Sequence, residues 1–201
     1  QKGYKESTRN FIVNENREKQ GYTRYGDWAG SPYYEWDALW LYFCMYYAGI
    51  SSEDFPVPFN MNAAEWASTL KVYNLFESPE TADEPETGNL VFFHSRELAD
   101  QKTEQGIAED PEEINHIALI TGIREKDGLE QIKVLEKDME NTLSERWVDR
   151  EGVSILGYGS LSMAEARKSH SEAELEAFSS GLFTEEVSIF PKFKDTNDVQ
   201  L

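Results

Sequence analysis

A helix over residues 38–48 would be apolar on every face, because no side chain in this stretch is charged. Such a helix must be covered on both sides, which is typical of the central helix of a domain. It would rise about 16 Å, whereas the hydrocarbon core of a membrane is about 30 Å thick. Asp37 stands at its start, where a carboxylate can cap the first turn, and Gly49 follows as a stop signal. We therefore predict a buried core helix with one carboxylate at its N-terminal end.

The stretches around this helix carry weaker patterns. Residues 1–20 place a few apolar side chains among charges, which predicts a short packed helix. Residues 21–32 combine glycines, a proline and aromatic side chains, which predicts an ordered loop. Residues 62–73 repeat apolar side chains at roughly helical spacing, so we predict a second helix there. Residues 78–88 are polar and proline-rich, and we expect an exposed connection.

From residue 89 onward the hydrophobic period changes to that of β-strands. The strand candidates are residues 90–93, 116–123, 131–136, 142–147 and 153–158. Gly128 marks a hairpin turn between two of them. Helices packed on an antiparallel sheet of about five or six strands form an α+β fold, and this is the fold class that we predict. Residues 94–115 form a long acidic insertion, either a surface loop or a lid, and residues 162–179 predict a helix before an extended segment at residues 190–193.

The charge of the chain restricts its partners. The chain has 38 acidic and 19 basic residues, a net charge of −19 and a pI near 4.5. This charge opposes binding to nucleic acid, to anionic lipid and to anionic wall polymers, and it is typical of an acidic, solvated surface. With 201 residues and a hydrophobic content of 39%, the chain can bury one sizeable core, so we predict one principal domain.

The N-terminus and the cysteine content bear on the cellular compartment. The chain starts at Gln1 rather than at a methionine, and we expect a processed or trimmed chain from which an export signal could have been removed. No apolar run is long enough to predict membrane insertion. The single cysteine, Cys44, cannot form an intramolecular disulfide, so cysteine usage favours neither an oxidising nor a reducing compartment.

Seven short blocks of sequence occur in the order and with the spacing of a known family. They are residues 6–11, 21–26, 36–49 (Trp36-x-Ala38, then Phe43-Cys44-x-x-Tyr47-Ala48-Gly49), 62–66, 88–93, 115–120 and 155–159. Together they resemble the CHAP family of cysteine- and histidine-dependent amidohydrolases/peptidases, most closely the versions in secreted or surface proteins of Gram-positive bacteria. The resemblance predicts a CHAP-like amidase/peptidase domain over residues 1–160, with residues 161–201 as a helical and extended C-terminal tail.

The resemblance implies a papain-like fold with a nucleophilic cysteine at the start of the central helix and a histidine on a strand. A polar residue on the next strand orients that histidine, and the usual substrate is a peptide or amide bond of peptidoglycan. In this chain Asp37 occupies the position of the nucleophilic cysteine, and His116 matches the catalytic histidine. Glu136 is the candidate orienting residue, although the glycine and the amide that follow this position in the family are absent here.

The carboxylate of Asp37 changes what such a site can do. A carboxylate that attacked an amide would form an anhydride, which is more activated than the amide itself, so we expect Asp37 to be a poor nucleophile for the family's reaction. Cys44 lies two helical turns deeper, about 10.5 Å along the axis, where a free cysteine is usually a small core side chain. We therefore predict that Asp37 caps the helix and forms a salt link with His116, which would favour the imidazolium form. Without the resemblance, a hydrogen-bonded histidine on a strand would be the favoured interpretation of His116; the resemblance favours a site residue.

Aromatic side chains and the other histidines complete the candidate chemistry. Trp28, Tyr34 and Trp36 lie near the predicted helix start, where they either line a groove for a glycan or peptide or belong to the core. His94 and His170 are predicted to lie at the surface. The acidic insertion near His94 has no spacing that demands a metal, so we predict neither a metal nor a cofactor.

Together these features predict a catalytically degenerate CHAP-like cell-wall domain, secreted or at the cell surface, that keeps a groove for peptidoglycan or a peptide. Two alternatives stay open. One is an active peptidoglycan amidase or endopeptidase in which the nucleophilic cysteine has been replaced by Asp37. The other is a surface module that binds a protein partner through its acidic face.

Overall fold

The computed structural model describes residues 1–15, 17–50, 62–82, 84–94, 113–151 and 154–182. The elements in chain order are β1 (Phe11–Val13), β2 (Lys19–Gly21), α1 (Arg24–Trp28), α2 (Leu39–Tyr47), α3 (Ala63–Val72), β3 (Phe76–Glu77), β4 (Leu90–Phe93), β5 (His116–Lys126), β6 (Leu129–Lys137), β7 (Leu143–Asp149), β8 (Ile155–Gly159), α4 (Met163–Ser169) and α5 (Glu172–Leu182). Residues 95–112 of the acidic insertion predicted at residues 94–115, and the extended segment predicted at residues 190–193, lie outside the described residues.

Within the described ranges, one antiparallel sheet has the strand order β3-β8-β4-β5-β6-β7, and β1 and β2 pair separately. The six-stranded sheet confirms the predicted α+β class. The turn between β5 and β6 contains Asp127 and Gly128, whose φ angles are 56° and 79°. Two successive residues with positive φ form the turn that matches the twist of a hairpin. This confirms the hairpin predicted at Gly128.

The first turn of α2 is buried on all sides, as predicted, whereas Tyr47 at its C-terminal end is 66% exposed. Its buried side chains are Leu39, Trp40, Leu41, Tyr42 and Met45. The helix ends where Gly49 takes a φ of 76°, and the N–H groups of Gly49 and Ile50 donate to the carbonyl oxygens of Tyr46 (3.0 Å) and Met45 (3.2 Å). These bonds satisfy carbonyls of the last turn, which confirms Gly49 as the stop signal. No helix within the described residues is long and apolar enough to cross a membrane.

The start of α2 differs from the prediction. The helix begins at Leu39, and Ala38 occupies the capping position without a side-chain hydrogen bond. Asp37 lies one residue earlier, so the prediction that Asp37 caps the helix is wrong. α3 behaves as expected, because the side chain of Asn62 caps it by accepting a hydrogen bond of 2.8 Å from the backbone N–H of Glu65.

The large sheet separates two apolar layers, because side chains along a strand point alternately to its two faces. On β4, Leu90 and Phe92 belong to the layer that contains α2, whereas Val91 and Phe93 belong to the layer on the opposite face. Along β5, His116 stands two residues before Ala118 of the second layer, and along β6 Glu136 stands two residues after Val134 of that layer. The alternation therefore places His116 and Glu136 on the same face.

Two N-terminal segments differ from the sequence interpretation. The helix predicted within residues 1–20 is wrong, because this segment contains the β1–β2 hairpin. In its turn, Arg17 has a φ of 67° and the backbone N–H of Glu18 donates to the side chain of Asn14 at 2.9 Å. The predicted loop at residues 21–32 contains the short helix α1, capped by the Thr23 hydroxyl.

The C-terminal tail packs onto the core in its described part. The sequence predicted one helix over residues 162–179, but the structure has two. His170 adopts an extended backbone conformation and ends α4. Ser171 then starts α5, since its hydroxyl and backbone N–H exchange hydrogen bonds with Glu174. Ala166 and Leu175 are buried against the same core as α2.

Gly157→Ala is expected to lower the free energy of unfolding by about 1–3 kcal/mol. A Cβ at residue 157 would meet the carbonyl oxygen of Glu77 at 2.8 Å and the ring of Phe76 closer still, so the edge strand β3 would have to move. Urea unfolding measures the change. Gly122→Ala in β5 is the matched control, because its nearest neighbour would lie at an ordinary 3.6 Å. Equal losses in the two variants would contradict this account.

Candidate active site

Asp37 is a nearly buried carboxylate at the N-terminal end of α2. It is 9% exposed, and its neighbours Trp36 and Ala38 are inaccessible. Burial raises the pKa of Asp37 to about 6, although the positive charge of His116 and the backbone N–H groups of Ala38 and Asp37 act in the opposite direction. An ionised carboxylate in this place is therefore costly near neutral pH.

His116 and Glu136 form a buried hydrogen-bonded pair on neighbouring strands. His116 is the first residue of β5, and its Nε2 lies 2.8 Å from Oε2 of Glu136 on β6. When Nε2 donates its proton to the carboxylate, Nδ1 is left as the basic nitrogen of the ring. The structure thus brings together the two residues that the sequence paired as histidine and orienting group.

The predicted salt link between Asp37 and His116 is not formed. The imidazole binds Glu136, and Asp37 acts on it through charge alone among the interactions of the described residues. Glu136 reaches His116 diagonally across the β5–β6 pair, because Leu119 pairs with Leu135 and the two side chains lie on the same face. Asp37, His116 and Glu136 nevertheless belong to one electrostatic cluster.

Arg146 joins this cluster, although the sequence interpretation did not include it. Its guanidinium binds Glu136 through Nε to Oε1 and through Nη2 to Oε2, the latter at 3.3 Å. Burial alone would raise the pKa of Glu136, but the hydrogen bonds from His116 and Arg146 outweigh it and hold the pKa below its usual range. The alternation of residues 142–147 predicted this strand. The β6–β7 register places Arg146 opposite Val134, so Arg146 is a diagonal neighbour of Glu136 on the same face.

The aromatic residues expected near a binding groove divide into two groups. Trp36 is buried, stacks on Tyr25 with ring centroids 5.3 Å apart, and donates from Nε1 to Glu6 at 2.9 Å. Trp28 is also buried in the core. Both side chains are therefore buried, in agreement with the core-packing alternative, and their assignment as substrate-binding residues stays a prediction. Tyr34 is 51% exposed, so it alone of the three candidates presents an open ring.

Tyr34 borders a small open pocket beside the segment that leads to Asp37. The residues that line this pocket are Glu6, Lys19, Gln20, Gly21, Tyr33, Tyr34, Glu35, Trp36 and Asn141. Their side chains are mostly polar or charged. Lys137 of β6 contacts Glu35 and lies 5.9 Å from the centroid of the Trp36 ring, which ties this segment to the sheet.

Cys44 and the remaining histidines lie away from the Asp37 carboxylate. Cys44 is half-buried on α2 and packs against the core, and burial raises the pKa of its thiol. His94 is buried, with Nδ1 3.0 Å from the carbonyl oxygen of Glu113, so its predicted surface position is wrong. His170 is partly buried between α4 and α5. No group of three or more acidic, histidine or cysteine side chains suited to a metal occurs in the described part of the chain.

Comparison of the chain with models of protein families, with curated proteins and with solved structures gives no match.

Asp37→Asn is expected to stabilise the protein at pH 7 by up to about 3 kcal/mol, because the neutral amide removes the cost of a buried charge. The folded protein holds the Asp37 proton more tightly than the unfolded chain, since the pKa is raised from 3.8 to about 6. The wild-type protein should therefore lose stability as the pH rises from about 4 to about 6. The gain of the variant should develop over the same window and vanish below pH 4.

Urea unfolding at several pH values measures this gain. Asp127→Asn is the control, because Asp127 is exposed in the β5–β6 turn and asparagine tolerates its positive φ. The control should show no such pH-dependent gain. A stability difference for Asp37→Asn that is constant from pH 3.5 to pH 8 would contradict the buried-carboxylate account.

Proposed function

We propose that this chain is a CHAP-like domain of papain-like fold that has lost amide hydrolysis and keeps the capacity to bind peptidoglycan or a related peptide. One observation carries the proposal: a residue at the start of the central helix, a histidine at the start of a strand and a carboxylate on the next strand belong to one buried cluster. The His116–Glu136 hydrogen bond of 2.8 Å is its best-defined part.

The order of the elements supports the papain-like assignment. α2 and α3 precede the strands β4 to β8 along the chain, and Asp37 directly precedes α2. The resemblance to the CHAP family implies this same order, with the nucleophile before the central helix and the histidine on the sheet. His116 and Glu136 occupy adjacent strands, as that family requires of its histidine and orienting residue.

The chemistry of Asp37 argues for lost catalysis. In a cysteine hydrolase, the imidazole and the helix N-terminus stabilise a thiolate, which attacks the carbonyl carbon and later leaves as the acyl-enzyme is hydrolysed. The Asp37 carboxylate would instead yield an anhydride, and its pKa of about 6 leaves it partly protonated in mildly acidic solution. Binding without turnover is therefore the expected behaviour of the wild-type chain.

The charge of the chain favours the peptide portion of peptidoglycan over anionic wall polymers. A net charge of −19 repels polyanions at long range, whereas a short peptide can be held by local contacts. Tyr34 and the polar pocket beside it supply aromatic and hydrogen-bonding groups for such contacts. A ligand of this kind places the protein at the cell surface or in the secreted fraction.

Asp37→Cys is expected to release peptides or amino groups from purified peptidoglycan, whereas the wild-type protein is not. The substitution returns a nucleophile to the position at which the charge of His116 acts, and it removes the carboxylate that burial disfavours. New amino groups and released muropeptides, measured over time, provide the readout. The wild-type protein is the control for any activity of Cys44, because this cysteine is present in both the wild type and the variant.

Two further variants make this test specific. Asp37→Cys combined with His116→Gln should lose the gained activity, because no imidazole then accepts the thiol proton. Asp37→Ala should stay inactive and retain binding to insoluble peptidoglycan in a sedimentation assay. If Asp37→Cys neither cuts nor binds peptidoglycan, wall chemistry is the wrong assignment, and a surface module for a protein partner becomes the better one.

A further inference from the structure

Side chains from four neighbouring strands form a closed ring of contacts that includes His116. Phe93 of β4 pairs with His116 of β5, and their ring centroids lie 6.0 Å apart. Glu136 of β6 binds His116, and Arg146 of β7 binds Glu136. The guanidinium of Arg146 also lies 5.5 Å from the centroid of the Phe93 ring. The contacts therefore close into a ring of four side chains on one face of the sheet.

The two ends of the Glu136–Arg146 pair have different surroundings. The Glu136 side chain is buried, whereas the Arg146 side chain is 52% exposed. Arginine stays charged in either setting, and its planar fork fixes the orientation of a carboxylate through two donors. Oε1 is bound by Nε, and Oε2 is shared between Nη2 and the imidazole. Arg146 thus determines which way Glu136 presents its oxygen to His116.

The contact between Glu136 and Arg146 is not needed to hold β6 and β7 together. The two strands pair over a continuous register from Gln131 opposite Asp149 to Lys137 opposite Leu143. The backbone ladder therefore holds the strands without the help of Arg146. What Arg146 adds is a positive charge and a fixed geometry at the carboxylate beside the imidazole.

We infer that Arg146 is a positioning residue of the site: it orients Glu136 and balances its charge, so that Nε2 of His116 is the donor and Nδ1 remains the nitrogen free to exchange a proton. The inference rests on the proposed site of Asp37, His116 and Glu136, but not on the identity of its substrate. Arg146 binds Glu136 and is not assigned a contact with substrate.

Three charged groups of the described residues act on His116. Asp37 approaches from the segment before α2, Glu136 from β6 and Arg146 from β7, while β4 contributes the uncharged ring of Phe93. Removing Arg146 deletes a positive charge and leaves the negative charge of Glu136 uncompensated. Both changes favour the imidazolium form of His116.

The test is a pH titration of the ¹⁵N-histidine-labelled protein by long-range ¹H–¹⁵N NMR, which reports both the titration midpoint and the tautomer of each ring. The His116 signals are assigned by their loss in His116→Gln. In the wild-type protein the neutral ring should carry its proton on Nε2. In Arg146→Gln the midpoint of His116 should rise by about one pH unit, and both tautomers should be populated.

Arg146→Lys and Arg150→Gln are the matched variants. Lysine keeps the positive charge but lacks the two N–H donors of the guanidinium. The titration midpoint of His116 should therefore stay near that of the wild type, while the fraction of neutral His116 rings protonated at Nε2 falls. Arg150→Gln removes a second arginine–glutamate pair, Nη1 to Oε2 of Glu130 at 2.7 Å, and should leave His116 unchanged. If Arg146→Gln does not fold, the tautomer fraction in Arg146→Lys carries the test.

An unchanged midpoint and tautomer in Arg146→Gln would overturn the inference. An equal shift in Arg150→Gln would overturn it too, because the effect would then be one of overall charge. A wild-type tautomer fraction in Arg146→Lys would exclude the positioning role. The titration uses the protein with Asp37 in place, so a failure of Asp37→Cys to cut peptidoglycan leaves this test unaffected.

Discussion

The burial of the first turn of α2 on all sides is the constraint on which the arrangement of the other elements depends. An apolar helix of this kind is stable only when other parts of the chain cover it, and the large sheet, α1, α3 and the C-terminal helices do so. The segment that leads into the helix is covered as well. Trp36 hydrogen-bonds to Glu6 and stacks on Tyr25, so the N-terminal part of the chain holds this segment against the core. Asp37 is buried because it follows Trp36 into this covered region.

The pKa values of the two buried carboxylates shift in opposite directions, because the carboxylates have different hydrogen-bond partners. Burial pushes the pKa of both Asp37 and Glu136 upward. Glu136 has an imidazole and a guanidinium within hydrogen-bond distance, and these partners reverse the effect. Asp37 has the charge of His116 and nearby backbone N–H groups, which only reduce it. The Asp37 carboxylate therefore destabilises the folded protein near neutral pH, while the Glu136 carboxylate is well compensated.

Much of the fold could be predicted from local patterns, because periodicity and stop signals act over a few residues. The all-apolar stretch of α2, the Gly49 stop, the Asn62 cap and the strand alternation after residue 89 are signals of this kind. The segment at Phe11–Val13 was ambiguous, because three apolar residues among charges fit a short helix as well as a strand. The helix start was misplaced by one residue, because aspartate is the better N-cap residue and the Ala38 side chain has no group that could cap the helix.

The candidate site was only partly predictable for a different reason. Asp37, His116 and Glu136 could be identified from a family resemblance, but Arg146 enters the cluster through strand register, which sequence alone does not specify. The same limit applies to Trp28 and Trp36, because a tryptophan near a helix start has the same sequence pattern whether it lines a groove or fills the core.

The packing of α4 and α5 has a consequence for where the folded unit ends. Ala166 and Leu175 are buried against the layer that contains α2, so residues beyond the last strand belong to the hydrophobic core. A protein truncated after residue 160 would leave apolar surface on that layer uncovered, and exposed surface of this kind promotes self-association. The hydrophobic core therefore extends past β8 and includes side chains of both C-terminal helices, although the family resemblance stops before them.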